Sequence, residues 1–275
     1  MNAEKTADLH IHTLASDGAY SAREVLNAAR VAGLSAIAIT DHDSVEALPE
    51  AISLAEEYGI EVIPGIEISV ELDAAEMHLL GYFVDYRDPG FRERLALLRR
   101  VRACRAEAML KILEEMGFPL DMEKLLPGQM TGAIGRLHIA QALFRSGYVQ
   151  SLSEAFSRYI GNNGPAYVSK MKLSKEDALA MILRAGGVPV LAHPGQLDRD
   201  ELIPDLIKLG LAGLEAYYPS HSRFTTNHYL ELARHYHILA TGGSDCHGTN
   251  KEKILIGTVR VPYRVVEELR ERNKR

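Results

Sequence analysis

Seven short apolar runs punctuate the chain: residues 7–13 (ADLHIHT), 34–40 (LSAIAIT), 60–69 (IEVIPGIEIS), 77–85 (MHLLGYFVD), 187–194 (GVPVLAHP), 211–218 (LAGLEAYY) and 237–245 (HILATGGSD). Each has the length of a β-strand, and most of the intervening sequence has helical periodicity. Ser21 and Glu24 form a capping box ahead of VLNAARVAG, which Gly33 stops; 44–59 is the next helix; and 174–187 opens with Ser174 and Asp177. Strand–helix alternation on this scale predicts an α/β fold with a mainly parallel sheet or a barrel. The pattern breaks between Phe91 and Ile160, where helices are expected at 91–116, 135–146 and 151–160 with no strand among them, and the turn sequence GNNGPAY (161–167) closes the block. A helical block between strands reads as an inserted subdomain, dividing the chain into 1–90, 91–168 and 169–275; two long crossovers within one core are the alternative.

The polar residues inside these runs change the picture from fold to chemistry. His10 and His12 alternate along the first run and so point to one face. With Asp17 in the following loop they are either half of a metal site or two solvated histidines on an edge strand. The same habit then repeats: Asp41, His42 and Asp43 follow the second run, Glu67 lies in the third, His193 ends the fifth, and Asp245 and His247 end the seventh. Histidines and carboxylates at the carboxyl ends of parallel strands converge on one face of a barrel, where active sites sit. His78 begins its run instead of ending it. An antiparallel hairpin of 66–71 with 77–83, turning near Leu72–Asp73 or Asp73–Ala74, places it opposite or diagonal to Glu67 on the same face.

Composition narrows the remaining classes. The 275 residues are 47% hydrophobic and 25% charged, ordinary for a globular chain, and the net charge of −6 leaves no overall basic footprint for nucleic acid. Two cysteines, Cys104 and Cys246, give no disulfide framework. The N-terminal residues lack a signal-peptide pattern and no run approaches membrane-spanning length, so a soluble, cytoplasmic protein is expected.

Taken in order, DLHIHTLASDG, ITDHD, PGIEIS, HLLGYFVD, AHPG and GSDCHG resemble the motifs of the polymerase and histidinol phosphatase (PHP) family of metal-dependent phosphoesterases, from residue 8 to residue 248. GRLHIAQAL (135–143) and GPAYVSK (164–170) are similar to the insertion of the subgroup containing nucleoside 3′,5′-bisphosphate phosphatases and a 5′–3′ exoribonuclease. The resemblance implies a distorted seven-stranded (βα) barrel with a helical insertion. It also implies a metal cluster: His10, His12 and Asp245 on one ion, Glu67 bridging to a second held by His78 and His193, and Asp17, His42 and His247 on a third. Such a nitrogen and oxygen donor set suits two or three divalent ions, Mn2+ first, with Fe2+ or Zn2+ as alternatives. Cys246, between two of these residues, is read as packing.

The chemistry expected is attack by metal-bound hydroxide on a phosphate ester, since bound water falls from a pKa of about 15.7 to about 7 and no protein nucleophile is required. His221 is a candidate for phosphate contact or leaving-group protonation, or else a solvated loop histidine. Substrate contacts are expected from Arg136, His138 and Lys170 in the matched motifs, and from the cluster Arg99, Arg100, Arg102 and Arg105, with Arg102 and Arg105 the ones singled out. A solvated face paired with Glu93 and Glu107 is the competing reading of that cluster. Tyr148, Tyr159 and Tyr167 are available to stack a base or to pack. The partner expected is a nucleotide or short oligoribonucleotide, with no membrane and no stable protein partner. A histidinol-phosphatase-type enzyme is the first alternative. A non-catalytic regulatory or nucleic-acid-binding protein is the second, and the complete set of ligand positions argues against it.

Overall fold

A computed structural model describes residues 4–72, 76–121, 133–169, 173–250 and 255–274. All seven apolar runs are strands: β1 (Thr6–Ile11), β2 (Ala36–Ile39), β3 (Glu61–Glu71), β4 (Glu76–Tyr82), β5 (Val188–Leu191), β6 (Gly213–Tyr217) and β7 (Leu239–Gly242). An eighth, β8 (Val261–Pro262), pairs antiparallel with Thr6 and Ala7 of β1. The expected count of seven is therefore corrected to eight among the described residues: two residues are too short for any periodicity to show. The sheet order is β7-β6-β5-β4-β3-β2-β1-β8, parallel except at the β3–β4, β4–β5 and β1–β8 pairs.

The sheet curls until the segment after β7 meets β1. The amide of His12 donates to the carbonyl of Cys246 at 3.0 Å, and Ile11 and Cys246 form a parallel bridge. Gly243 is required at this seam: a Cβ there would lie 2.3 Å from the backbone nitrogen of His10. Buried Asp8 fastens the seam by accepting from the amides of Ser244 and Gly257, each at 2.8 Å. Inside the barrel, small residues (Ala7, Ala36, Ala38, Ala192, Ala212) pack with Leu9, Ile63, Leu80, Tyr82 and Val190. The helix Arg264–Asn273 closes the end where strands begin, through Val265, Val266 and Leu269. A larger cluster lies between the outer faces of the strands and the surrounding helices.

The helices follow their sequence signals closely. Ser21 and Glu24 make both bonds of the capping box on the helix Ala22–Val31, and Ser174 caps Lys175–Arg184. The helix expected over 44–59 begins later, at Leu48 with Pro49 in its first turn, because residues 41–45 are drawn down onto β3. The block without strands is present as Pro89–Glu115, Arg136–Arg145 and Leu152–Ala155, the last running into a π-helical turn at Phe156–Ile160. Within it a third hydrophobic cluster forms from residues 106–166 alone, including Met109, Leu113, Leu143 and Ile160. The long helix serves two cores: Phe91, Leu95 and Leu98 pack with the barrel, whereas Ala106, Met109 and Leu113 pack in the insertion.

Candidate metal centre

One irregularity in β1 aims its histidines. The register with β2 slips between Asp8 and Ile11, the mark of a β-bulge, which re-aims the residues that follow it. Leu9 packs inside the barrel and Ile11 outside, so His10 and His12 share the mouth of the barrel. The hairpin also forms. Ser69 pairs with His78 and Glu67 with Leu80, which sets Glu67 diagonal to His78, one of the two expected registers; Asp73 and Ala74 of the expected turn lie outside the described residues.

All nine residues read from the sequence meet there. The two oxygens of buried Glu67 face different partners. Oε2 is 3.3 Å from His10 Nε2, 3.1 Å from His12 Nε2 and 3.2 Å from His42 Nδ1, whereas Oε1 is 2.9 Å from His78 Nδ1 and 3.2 Å from His193 Nε2. Asp245 Oδ1 lies 3.4 Å from His10 Nε2 and 3.1 Å from His12 Nε2. Asp17 Oδ1 lies 3.1 Å from His247 Nε2, and its Oδ2 is 3.9 Å from His42 Nε2. Three groups of side chains bring donor atoms close enough to hold one ion each: His10, His12, Glu67 and Asp245; His12, Asp17, His42 and His247; and His42, Glu67 and His78. A neutral imidazole has one lone pair to give. The Nε2 of His12 therefore belongs with Glu67 and Asp245, since its Nδ1 is 3.4 Å from the hydroxyl of Ser16.

These contacts fit a cation. Imidazole nitrogens face each other at 3.1 Å (His10 and His12 Nε2) and 3.3 Å (His78 Nδ1 and His193 Nε2). His42 Nδ1 and His78 Nε2 are buried and, among the described residues, make no well-aligned hydrogen bond, although Glu67 Oε2 lies 3.2 Å from the first. Without a cation, protons take the charge. Burial opposes a proton on His12, but its bonds to Asp245 and Glu67 outweigh that and raise it to about 9. His78 likewise resists burial through Glu67 and rises to about 9. Burial dominates at His42, which falls to about 3. Glu67 overcomes its own burial through His42, His78 and His10 and stays well below the usual carboxylate range.

Three groups position the ligands: Glu215 and Tyr218, which the sequence reading missed, and Asp41, which it noted after the second run without a role. Glu215, fully buried in β6, accepts from His10 Nδ1 at 2.9 Å and from the backbone N–H of His193 at 2.8 Å. That second bond holds His193 at a φ of 29°. Tyr218 donates its hydroxyl proton to Asp245 Oδ2 at 2.8 Å, turning the other oxygen toward the histidines. Asp41 accepts from Thr13 N, Thr13 Oγ1 and Ser16 Oγ at 2.7, 2.6 and 2.5 Å, shaping the loop that carries Asp17. Cys246 packs in the core, as expected.

The other residues of interest divide. His221 donates from Nδ1 to the carbonyl of Ala216 at 2.9 Å and accepts the amide of Gly195 at Nε2, 3.2 Å away. Both nitrogens are thus spent on the backbone beside His193. His138 is buried and accepts the amide of Gly135 at 3.0 Å through Nδ1, capping its own helix. Tyr148 and Tyr159 meet Phe118 edge-on inside the insertion. Tyr167 instead lies between Arg105 and Arg136, whose guanidinium carbons are 5.3 and 5.7 Å from its ring centre. Arg136 bonds Glu76 Oε2 at 2.6 Å and Asn162 Oδ1 at 2.7 Å, and Arg105 donates to the carbonyl of Val168 at 2.7 Å. Arg100 is exposed, and Arg102 is buried against Asp43 and Ser69. Lys170 lies outside the described residues.

Residues 8–115 match the PHP domain. The chain is 33% identical over 245 residues to phosphoribosyl 1,2-cyclic phosphate 1,2-diphosphodiesterase of Eggerthella lenta, across 88% of this chain and 94% of that protein. The chain belongs to the PHP family. It is also 34% identical over 254 residues to 3′,5′-nucleoside bisphosphate phosphatase of Chromobacterium violaceum, across 87% of this chain and 86% of that one. A Bifidobacterium adolescentis crystal structure described as a metal-dependent phosphoesterase superposes with a TM-score of 0.90 at 30% identity, covering 97% of this chain and 96% of that one. The PHP chain is thus a phosphoesterase, a hydrolase of phosphate esters, with side-chain clusters fit for metal ions. Among the described residues no helix is long and apolar enough to cross a membrane.

Proposed function

We propose that the cluster holds three divalent ions, Mn2+ first among them, and that the protein hydrolyses nucleotide phosphate esters: nucleoside 3′,5′-bisphosphates, short 5′-phosphorylated RNA, or both. His10, His12 and Asp245 would hold one ion and His78 and His193 a second, with Glu67 between them; Asp17, His42 and His247 would hold the third. Bound ions supply the charge that neutralises phosphate oxygens and brings the pKa of bound water from about 15.7 to about 7. The side chains of His42 and His78, 13% and 19% exposed, are the open side of the cluster and give the phosphate its approach. No side chain is needed as nucleophile, and His221, with both nitrogens on the backbone, serves to brace the turn of His193.

The observation that carries the substrate class is the pair Arg105 and Arg136 around Tyr167. Burial and the neighbouring charge of Arg136 both lower the affinity of Arg105 for its proton, so two like charges are held together at a cost. An anion relieves that repulsion, and guanidinium forks suit a phosphate. The pair is linked to the cluster through Glu76, whose Oε2 bonds Arg136 at 2.6 Å and whose Oε1 is 3.7 Å from His78 Nε2. A substrate with two phosphates can then place one at the ions and the other at the arginines; in 5′-phosphorylated RNA the adjoining internucleotide phosphate takes the second place.

The test is a comparison of kcat/KM for a nucleoside 3′,5′-bisphosphate, a mononucleotide, phosphoribosyl 1,2-cyclic phosphate and histidinol phosphate, with Arg136→Ala alongside. The bisphosphate should lead, and Arg136→Ala should cost it about 1.5–3 kcal/mol, roughly 10- to 150-fold, while sparing the mononucleotide. Equal losses on both substrates mean that Arg136 supports the cluster through Glu76. A lead for the cyclic ester or for histidinol phosphate assigns the substrate class elsewhere.

A further inference from the structure

Three of the long helix's arginines stand three residues apart, at 99, 102 and 105, so each is turned roughly 60° around the helix from the one before. Only the last of them faces Tyr167 and Arg136. The first two turn to the barrel and meet the loop that carries His42. Arg102, 6% exposed, donates from Nε to Asp43 Oδ2 at 2.5 Å and from Nη2 to Ser69 Oγ at 2.6 Å. Arg99 donates to the backbone carbonyl of Asp43 at 3.3 Å and to Glu46 at 3.2 Å.

Asp43 is an unusual anchor. Its φ is 48°, its side chain is fully buried, and its amide donates to the carbonyl of Glu67 at 2.9 Å. Its Oδ1 accepts the amide of Ser69 at 3.4 Å, and Ser69 stands opposite His78 in the hairpin. One residue before it, His42 forms a parallel bridge with Glu67. A left-handed aspartate is a strained conformation and persists where its surroundings over-determine it. Here the surroundings are Arg102, Arg99 and β3. Arg102 also lies on the side of Asp17, since the two share Gly135 as a neighbour: a Cβ on Gly135 would sit 3.7 Å from Arg102 Nη1 and 3.9 Å from Asp17 Oδ2.

We propose that Arg102 is a positioning residue for the ion held by Asp17, His42 and His247, so that the helical insertion helps to build the metal centre as well as to recognise substrate. The guanidinium fork ties Asp43 to Ser69 and thereby fixes the backbone that presents His42 beside Glu67. It touches neither ion nor substrate. This inference rests on the assignment of those three residues to one ion. Supporting groups of this kind affect metal affinity by about 10- to 100-fold when removed.

The experiment titrates metal-free full-length protein with Mn2+ and counts bound ions calorimetrically and by elemental analysis, for wild type, Asp17→Ala, Arg102→Ala, Arg102→Lys and Ser69→Ala. Circular dichroism establishes that each variant is folded. Wild type should bind three ions, and Asp17→Ala should lose one of them. Arg102→Ala should weaken that same ion by about 10- to 100-fold and leave the other two unchanged. Arg102→Lys, which keeps the charge but not the fork, should fall between. If Arg102→Ala does not fold, Ser69→Ala, which removes one arm of the fork, carries the test with a smaller shift of the same ion. Three ions bound by the folded Arg102 variants with wild-type affinity overturn the inference and leave the three-ion assignment standing. Two ions in the wild type overturn both.

Discussion

The replacement Glu215→Gln separates orientation of a ligand from mere support of the fold. Both oxygens of Glu215 are acceptors, one for His10 Nδ1 at 2.9 Å and one for the amide of His193 at 2.8 Å. A glutamine of the same shape offers one oxygen and one NH2 group. The backbone amide of His193 cannot change its role, so the glutamine oxygen must stay with it, and the NH2 then faces His10 Nδ1. The imidazole answers by moving its proton to Nε2, which is the atom aimed at Glu67 and Asp245. The lone pair needed for a metal is lost in that tautomer. Recovering it costs a hydrogen bond to a charged group, about 1.5–3 kcal/mol. This agrees with the 10- to 100-fold loss, about 1.4–2.7 kcal/mol, expected when a group behind a metal ligand is removed. Calorimetric titration of metal-free protein with Mn2+ should show one ion weakened by that factor. A lower melting temperature combined with an unchanged Mn2+ isotherm would refute the argument and make Glu215 a structural carboxylate only.

Metal uptake should release protons, because Asp245 and Glu67 hold His12 near 9 and Glu67 holds His78 near 9 in the metal-free protein, burial notwithstanding. Apparent Mn2+ affinity should therefore climb from pH 6.5 to 9, by up to about tenfold per pH unit for each proton displaced; an affinity flat over that range contradicts it. The same raised values stabilise the metal-free fold fully below the ordinary histidine pKa of 6.5, and that contribution is lost as pH rises through about 9. Thermal melts of metal-free protein should accordingly fall across this window, and a rising trend opposes the sign. Asp17→Ala should lower kcat by at least about tenfold with an unchanged circular dichroism spectrum, since Asp17 lies in a loop; wild-type turnover in the variant excludes it from the centre.

The strands were legible because their side chains are buried as continuous runs, and the site was legible because polar residues broke those runs, most often at the carboxyl end. What stayed hidden is what depends on the third dimension alone. The bulge between Asp8 and Ile11 leaves no mark in the sequence, yet it decides where His10 and His12 point. β8 is too short to show a period. Glu215 did carry a signal, a lone carboxylate inside LAGLEAYY, the same pattern that gave Glu67 in PGIEIS. Nothing in the sequence separates a carboxylate among the ligands from one that stands behind them, as Glu215 stands behind His10. Tyr218 had no signal, because an aromatic residue at a strand end is ordinary packing until its hydroxyl is seen on Asp245. The arginine cluster was visible as a density of charge, but sequence gives no face to a helix whose two halves pack into different cores.

That division of the long helix bears on how a PHP barrel can change its substrate. Arg99 and Arg102 turn toward Asp43, whereas Arg105, one turn on, turns toward Tyr167 and Arg136. Of the inward contacts, Arg102 to Asp43 joins two buried charges, and loss of either partner leaves an unpaired ion in the core and costs about 3–5 kcal/mol. The outward ones are made at a half-buried surface around a single ring. Substitution is therefore cheap around Tyr167 and expensive around Asp43. An insertion built this way can be refitted to a different second anionic group without moving His42, provided that its first three turns keep their seat on the barrel through Phe91, Leu95 and Leu98.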